Sequence, residues 1–144
     1  MSIKLKLEGF EDILKDIEKA GGSISVATDN CMRRSAEIME TELKHSMNQS
    51  NVDTDLINRM PPPDIETSGN RVTARVGYKK GAYDPQNLSD GYKVVFINYG
   101  TPRRTKHGKI RARGFIQRAK KSAKKKILAE QEKTLNEILK GLKK

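Results

Sequence analysis

The densest chemistry in this 144-residue sequence is cationic. Between Thr101 and Lys126 stand twelve basic residues and no acidic one: Arg103, Arg104, Lys106, Lys109, Arg111, Arg113, Arg118, Lys120, Lys121, Lys124, Lys125 and Lys126. Lysine and arginine neutralise phosphates and release counterions, so such a stretch has the chemistry to hold DNA or RNA with strong salt dependence. It has equally the chemistry to hold an acidic protein face. The plain alternative is a flexible loop followed by a solvated helix face. Phe115 is the only Phe, Tyr or Trp in the segment, so the stacking platforms of single-strand binders are absent. No helix-turn-helix or zinc-finger spacing is present, and sequence-specific recognition is not expected. The candidate contacts with DNA or with another subunit are Arg103, Arg104, Lys106, Lys109, Arg111 and Arg113.

Other chemistry is sparse. The two histidines, His45 and His107, lie far apart and outside any H-E-x-x-H setting. The frame Asp53-x-Asp55 with Asp64 mimics a calcium loop. However, Ile57 occupies a ligand position, Asn58 replaces the required glycine, and prolines fill the end. Neither G-x-x-x-x-G-K nor G-x-S-x-G occurs. The single cysteine, Cys31, has no partner for a disulfide or zinc knuckle, and it falls on an apolar helix flank, where cysteine behaves as a small hydrophobe. The expectation is no catalytic residue, no metal and no cofactor, hence not an enzyme.

Composition narrows the classes further. Hydrophobic residues make up 35% of the chain and charged residues 33%, against about 25% charged in ordinary domains. That balance suits one small α+β domain spanning residues 1–144 that gains burial from partners. The net charge of +11 is unevenly spread, because Glu8 to Lys44 carries nine acidic and five basic residues. An acidic end and a basic segment can drive head-to-tail self-assembly or attract a polyanion. The start, Met1 to Lys6, has no apolar run like a signal peptide. Val94–Ile97 is the longest apolar run, far short of the ~20 residues of a membrane span. A soluble protein made in a reducing cytosol is expected, with no membrane partner.

The elements that must carry these residues follow from periodicity. Ile3, Leu5 and Leu7 alternate with polar residues, giving a short strand or an extended arm over residues 1–8. Phe10, Ile13, Leu14 and Ile17 define one face of a short helix, ended by Gly21-Gly22. Ser23 caps a long helix to about Met47, with Met32, Ala36, Met39, Leu43 and Met47 as its apolar stripe. Residues 48–63 read as a loop, in which Asp55–Met60 suits either a helical turn or a strand start. Ile65–Thr67 and Arg71–Gly77 form a hairpin, with Val72, Ala74 and Val76 on one face. Residues 79–91 read as loop. Tyr92–Tyr99 has the composition of a central strand. A flexible loop over 101–113 then precedes a last helix from Phe115 to about Leu142. Its stripe is Ile116, Ala119, Ala123 and Ile127, continued by Leu128, Leu135, Ile138 and Leu142. The expected fold is a small antiparallel sheet packed on one face by the two long helices.

Two phrases then carry a family resemblance: Val95-Phe96-Ile97-Asn98-Tyr99-Gly100-Thr101, and, after the basic loop, Ala112-Arg113-Gly114-Phe115-Ile116 with Ala119. They resemble the tail-component family of siphophages and prophages, often called gene-product-ten-like and related to lambda's minor tail protein Z. Asn98 stands where that family commonly has Glu, and Gly114 where it commonly has Pro. Asp53–Asn58 is similar to the family's "T-G-x-L-x-x-S" phrase, and Leu7–Leu14 to its "G-L-x-x-L" start. The resemblance implies a virion protein of the neck or upper tail. Such a protein acts in tail completion or head–tail joining as a homo-oligomeric ring around the DNA path, beside other neck and tail proteins. Tyr99, Gly100, Thr101, Phe115 and Ile116 would be its structural motif residues. Charge alone supports an alternative, a basic accessory protein that binds nucleic acid without sequence specificity. Composition also leaves open a small nuclease-like or toxin-like enzyme.

Overall fold

The computed structural model describes residues 2–69, 71–79, 84, 86–101 and 111–143. Its elements run β1 (Ser2–Leu5), α1 (Glu11–Lys19), α2 (Ile24–Gln49), α3 (Thr54–Asn58), β2 (Asp64–Ser68), β3 (Arg71–Gly77), α4 (Asp90–Tyr99) and α5 (Phe115–Leu142). The fold is α+β: a three-stranded antiparallel sheet in the order β1-β3-β2, with helices packed against it.

β3 is central because its inward face is apolar along its length. Val72, Ala74 and Val76 are all buried. Ile3 of β1 lies opposite Val76, and Ile65 of β2 lies opposite Ala74. The outward face is charged, and Lys4, Arg75 and Asp64 form one cross-strand row. The sheet thus buries one side and solvates the other, as period-two alternation demands.

α2 covers the buried side. Ser23 caps it by accepting a hydrogen bond from Val26 N at 3.3 Å. It carries two adjacent buried stripes. Met32, Ala36, Met39, Leu43 and Met47 join Val72, Ala74 and Val76 in the main core. Cys31, Ser35, Glu42 and Ser46 instead meet α5. Contact with the sheet is therefore made chiefly by α2, and α5 is layered along α2. At its far end, Leu135 packs with Ile17 of α1 and with Ala27 and Cys31.

Several sequence expectations change here. Tyr92–Tyr99 is not a strand but most of α4, and the third strand of the sheet is β1. Gly91, Val94 and Asn98 are the buried positions of α4, a helical spacing hidden beneath a β-branched and aromatic composition. Of the two alternatives for the start of the chain the strand is observed, since Ser2–Leu5 is paired to β3. Within 48–63 the helical turn is observed, as α3, whose Leu56 and Ile57 are buried. On α5, Leu128 and Leu142 are 46% and 37% exposed, and the buried face continues instead through Gln131, Thr134 and Leu135.

Candidate functional site

The two phrases on either side of the basic loop meet in space. Ile97 O accepts from Arg113 N, and Asn98 O accepts from Gly114 N, both at 3.1 Å. The end of α4 and the approach to α5 are thereby clipped together, backbone to backbone, at the root of the loop. Gly100 ends α4 at φ 76°, a left-handed conformation that glycine takes without steric cost. Its N–H donates to Phe96 O at 2.8 Å.

Asn98 completes the junction. Its side chain is 1% exposed, and Oδ1 accepts from Ile116 N at 2.9 Å. This caps α5 in place of its own preceding residue, because Gly114 has no side chain to do so. Gly114 stands at φ 58°, which proline does not reach. The position where the resembled phrase carries Pro thus has a different local backbone here. Phe115 is fully buried and Ile116 is 2% exposed. Ser46 Oγ donates to Phe115 O at 2.6 Å, tying the same turn to α2.

The motif residues therefore form a scaffold. Phe115 and Ile116 enter the core, Gly100 makes the turn, and Tyr99 is 57% exposed beside it. Thr101 is half-buried. Arg103, Arg104, Lys106 and Lys109 lie outside the described residues, as does His107. Arg111 is exposed. The Arg113 guanidinium donates to Ser50 O at 3.2 Å and Asn51 O at 3.0 Å, closing the carbonyl end of α2. It acts as a brace more than as a free cation. Arg118 likewise bonds Ser50 Oγ.

Past the junction, the basic segment continues on α5. Lys120, Lys121, Lys124 and Lys125 are exposed, and Lys126 is paired with Glu42. Sequence reasoning counted these lysines in the basic segment but placed the candidate contacts in the loop. Their signal was available: at helical spacing none of them falls on the stripe of Ile116, Ala119, Ala123 and Ile127, which Lys120 borders and Lys121 and Lys125 oppose.

The remaining reactive groups are scattered. His45 is exposed on α2. Cys31 is fully buried, with its thiol toward Gln131 O at 3.9 Å. Burial, with Glu130 nearby, pushes its pKa up to about 11, so the thiolate is suppressed at neutral pH. Tyr78 donates to Leu56 O at 2.6 Å, and burial, with Asp90 nearby, pushes its phenol up to about 12. Arg59 grips Asp90 through two hydrogen bonds of 3.0 and 3.2 Å, joining α3 to the first turn of α4. A shallow groove of about 280 Å³ lies there, lined by Leu56, Leu88, Lys93, Phe96 and Ile97 among others. Among the described residues, no group of three or more His, Cys, Asp or Glu is placed to hold a metal ion, and no helix is long and apolar enough to cross a membrane. No protein-family model, no curated protein and no solved structure matches this chain.

Proposed function

We propose that this protein is a structural component of a phage or prophage particle, acting at the neck or upper tail in tail completion or head–tail joining. The observation that carries the reading is the loop root. The two phrases that bear the family resemblance are separated in sequence by the basic loop, yet they converge on one buried, hydrogen-bonded junction. Such a junction has no chemistry to perform. It anchors both ends of a charged loop on a rigid core, as an assembly protein requires when a variable segment must meet a neighbour. In this reading the protein works as a homo-oligomeric ring around the DNA path, with the loop and Tyr99 turned to other subunits or to the duct.

The reading is tested by deleting the gene from its native genome and examining the particles by electron microscopy. Filled heads and tails that remain unjoined, restored by the gene in trans, are the expected result. Mass spectrometry of wild-type particles should find the chain. Infectious particles of normal form that never contain it would overturn the proposal.

A further inference from the structure

We propose that the N-terminal half of α5 is a docking surface for the phosphate backbone of double-stranded DNA, formed by Lys120, Lys121, Lys124 and Lys125 and read without base specificity. The inference stands apart from the virion role, because it concerns the helix and not the loop or its root.

The four lysines are free to act outward. All are exposed. Among the described residues, ion pairs engage Arg33, Arg34, Lys44, Arg59 and Lys126, but none of these four. Lys120–Lys124 and Lys121–Lys125 are each about one helical turn apart, roughly 6 Å along the axis. A duplex carries one negative charge per about 1.7 Å of its axis, so a cationic row of this density meets several phosphates at once.

Charge is unevenly placed along α5. Phe115–Lys126 has six basic residues and no acid, while Glu130, Glu132 and Glu137 lie further along. Like charges one turn apart destabilise a helix. Among the described residues no ion pair relieves Lys120, Lys121, Lys124 or Lys125 of that cost, and an external polyanion would.

The surroundings favour a duplex over a single strand, an acidic protein face or a lipid surface. No aromatic ring is exposed on this half of α5, since Phe115 is fully buried, so bases of a single strand have nothing to stack on. Leu128, 46% exposed, is the one large apolar side chain at the edge of the patch, whereas protein interfaces are rich in apolar and aromatic anchors and poor in lysine. The helix's apolar stripe is buried against α2, so no apolar face remains to enter a lipid surface.

The experiment measures binding of the full chain to a labelled random-sequence DNA duplex across a salt series. Wild type should bind, with log affinity falling linearly against log salt. Changing all four lysines to Gln should lower affinity about tenfold or more and flatten that slope by about 0.9 for each phosphate that is no longer neutralised. The helical circular dichroism and melting temperature should be unchanged or raised. If the fourfold variant melts lower, the pairs Lys120/Lys124 and Lys121/Lys125 changed separately should each flatten the slope by about half as much. Absence of duplex binding in low salt would overturn the proposal. So would unchanged affinity in the lysine variants while neutralising Arg103, Arg104, Lys106, Lys109 and Arg111 abolishes binding. Equal affinity for polyglutamate or anionic vesicles in place of the duplex would also overturn it.

Discussion

The two halves of α5 meet α2 in similar ways and face solvent in opposite ways. The first half buries Phe115, Ile116, Ala119 and Ala123, and the second buries Gln131, Thr134 and Leu135. Outward, the second half turns two of its acids inward to the fold: Glu130 and Glu137 reach Arg34 at 3.5 and 3.8 Å. The first half pairs one lysine with Glu42 and leaves four lysines without an ion-pair partner among the described residues. The inner faces decide where the helix lies. In the docking proposal, recognition rests with residues that contribute nothing to packing.

The largest expected effect tests the inner face. Phe115→Ala should cost about 3–5 kcal/mol in urea unfolding, because a fully buried ring leaves a cavity in the main core. Leu128→Ala, on the outer side of the same helix, should change stability by about 0.5 kcal/mol or less. Equal losses at the two positions would break the distinction between the faces.

A smaller loss is expected at the loop root. Asn98→Ala removes the acceptor for Ile116 N and leaves that buried donor unpaired, a cost of about 1–3 kcal/mol. Thermal melts should show it. A neutral result would mean that the turn satisfies itself without Asn98 and that the junction is not the anchor described.

Alkali should act on two of the inner residues. Cys31 and Tyr78 hold their protons to higher pH when folded, with pKa values of about 11 and about 12 against ordinary values of 9.0 and 10.0. Above the ordinary values the unfolded chain releases these protons first, so it binds fewer protons than the native state and stability falls as pH rises. The stabilising contribution is complete below about pH 9 and is lost through about pH 11 for Cys31 and pH 12 for Tyr78. Cys31→Ala and Tyr78→Phe should each flatten the alkaline limb of a stability–pH curve. Unchanged limbs in both variants would refute the burial account.

The smallest effect has an unusual sign. Lys121→Glu should stabilise the protein by about 0.2–0.5 kcal/mol, because the new acid faces Lys125 one turn on and relieves like-charge crowding. A destabilised variant would mean that Lys121 already has a structural partner.

Much of this was legible in the linear chain. Strong apolar periodicity predicted α1, α2 and α5, α2 along a run without glycine or proline, and alternation predicted β2 and β3. Charge is local, so the basic segment needed no coordinates. The main error was α4. Its β-branched and aromatic residues favour a strand in isolation, yet a strand there would leave Asn98 unable to cap α5 and Gly91, Val94 and Asn98 on no common face. Tertiary packing overrode a weak intrinsic preference.

The sequence by itself determined the class of the fold, the long helices, the hairpin and the place of the charge. These depend on residue type and on spacings within one element. Only the tertiary structure decided that β1 completes the sheet, and that α5 follows α2 along a seam including Ser35, Ser46, Gln131 and Thr134. Only there did Arg113 become a brace, while Lys120, Lys121, Lys124 and Lys125 have no ion-pair partner among the described residues. Each of those outcomes depends on partners far apart in the chain. Gln131 Nε2 meets Ser35 Oγ at 3.2 Å across 96 residues, and a polar side chain carries no local mark of whether such a partner will bury it.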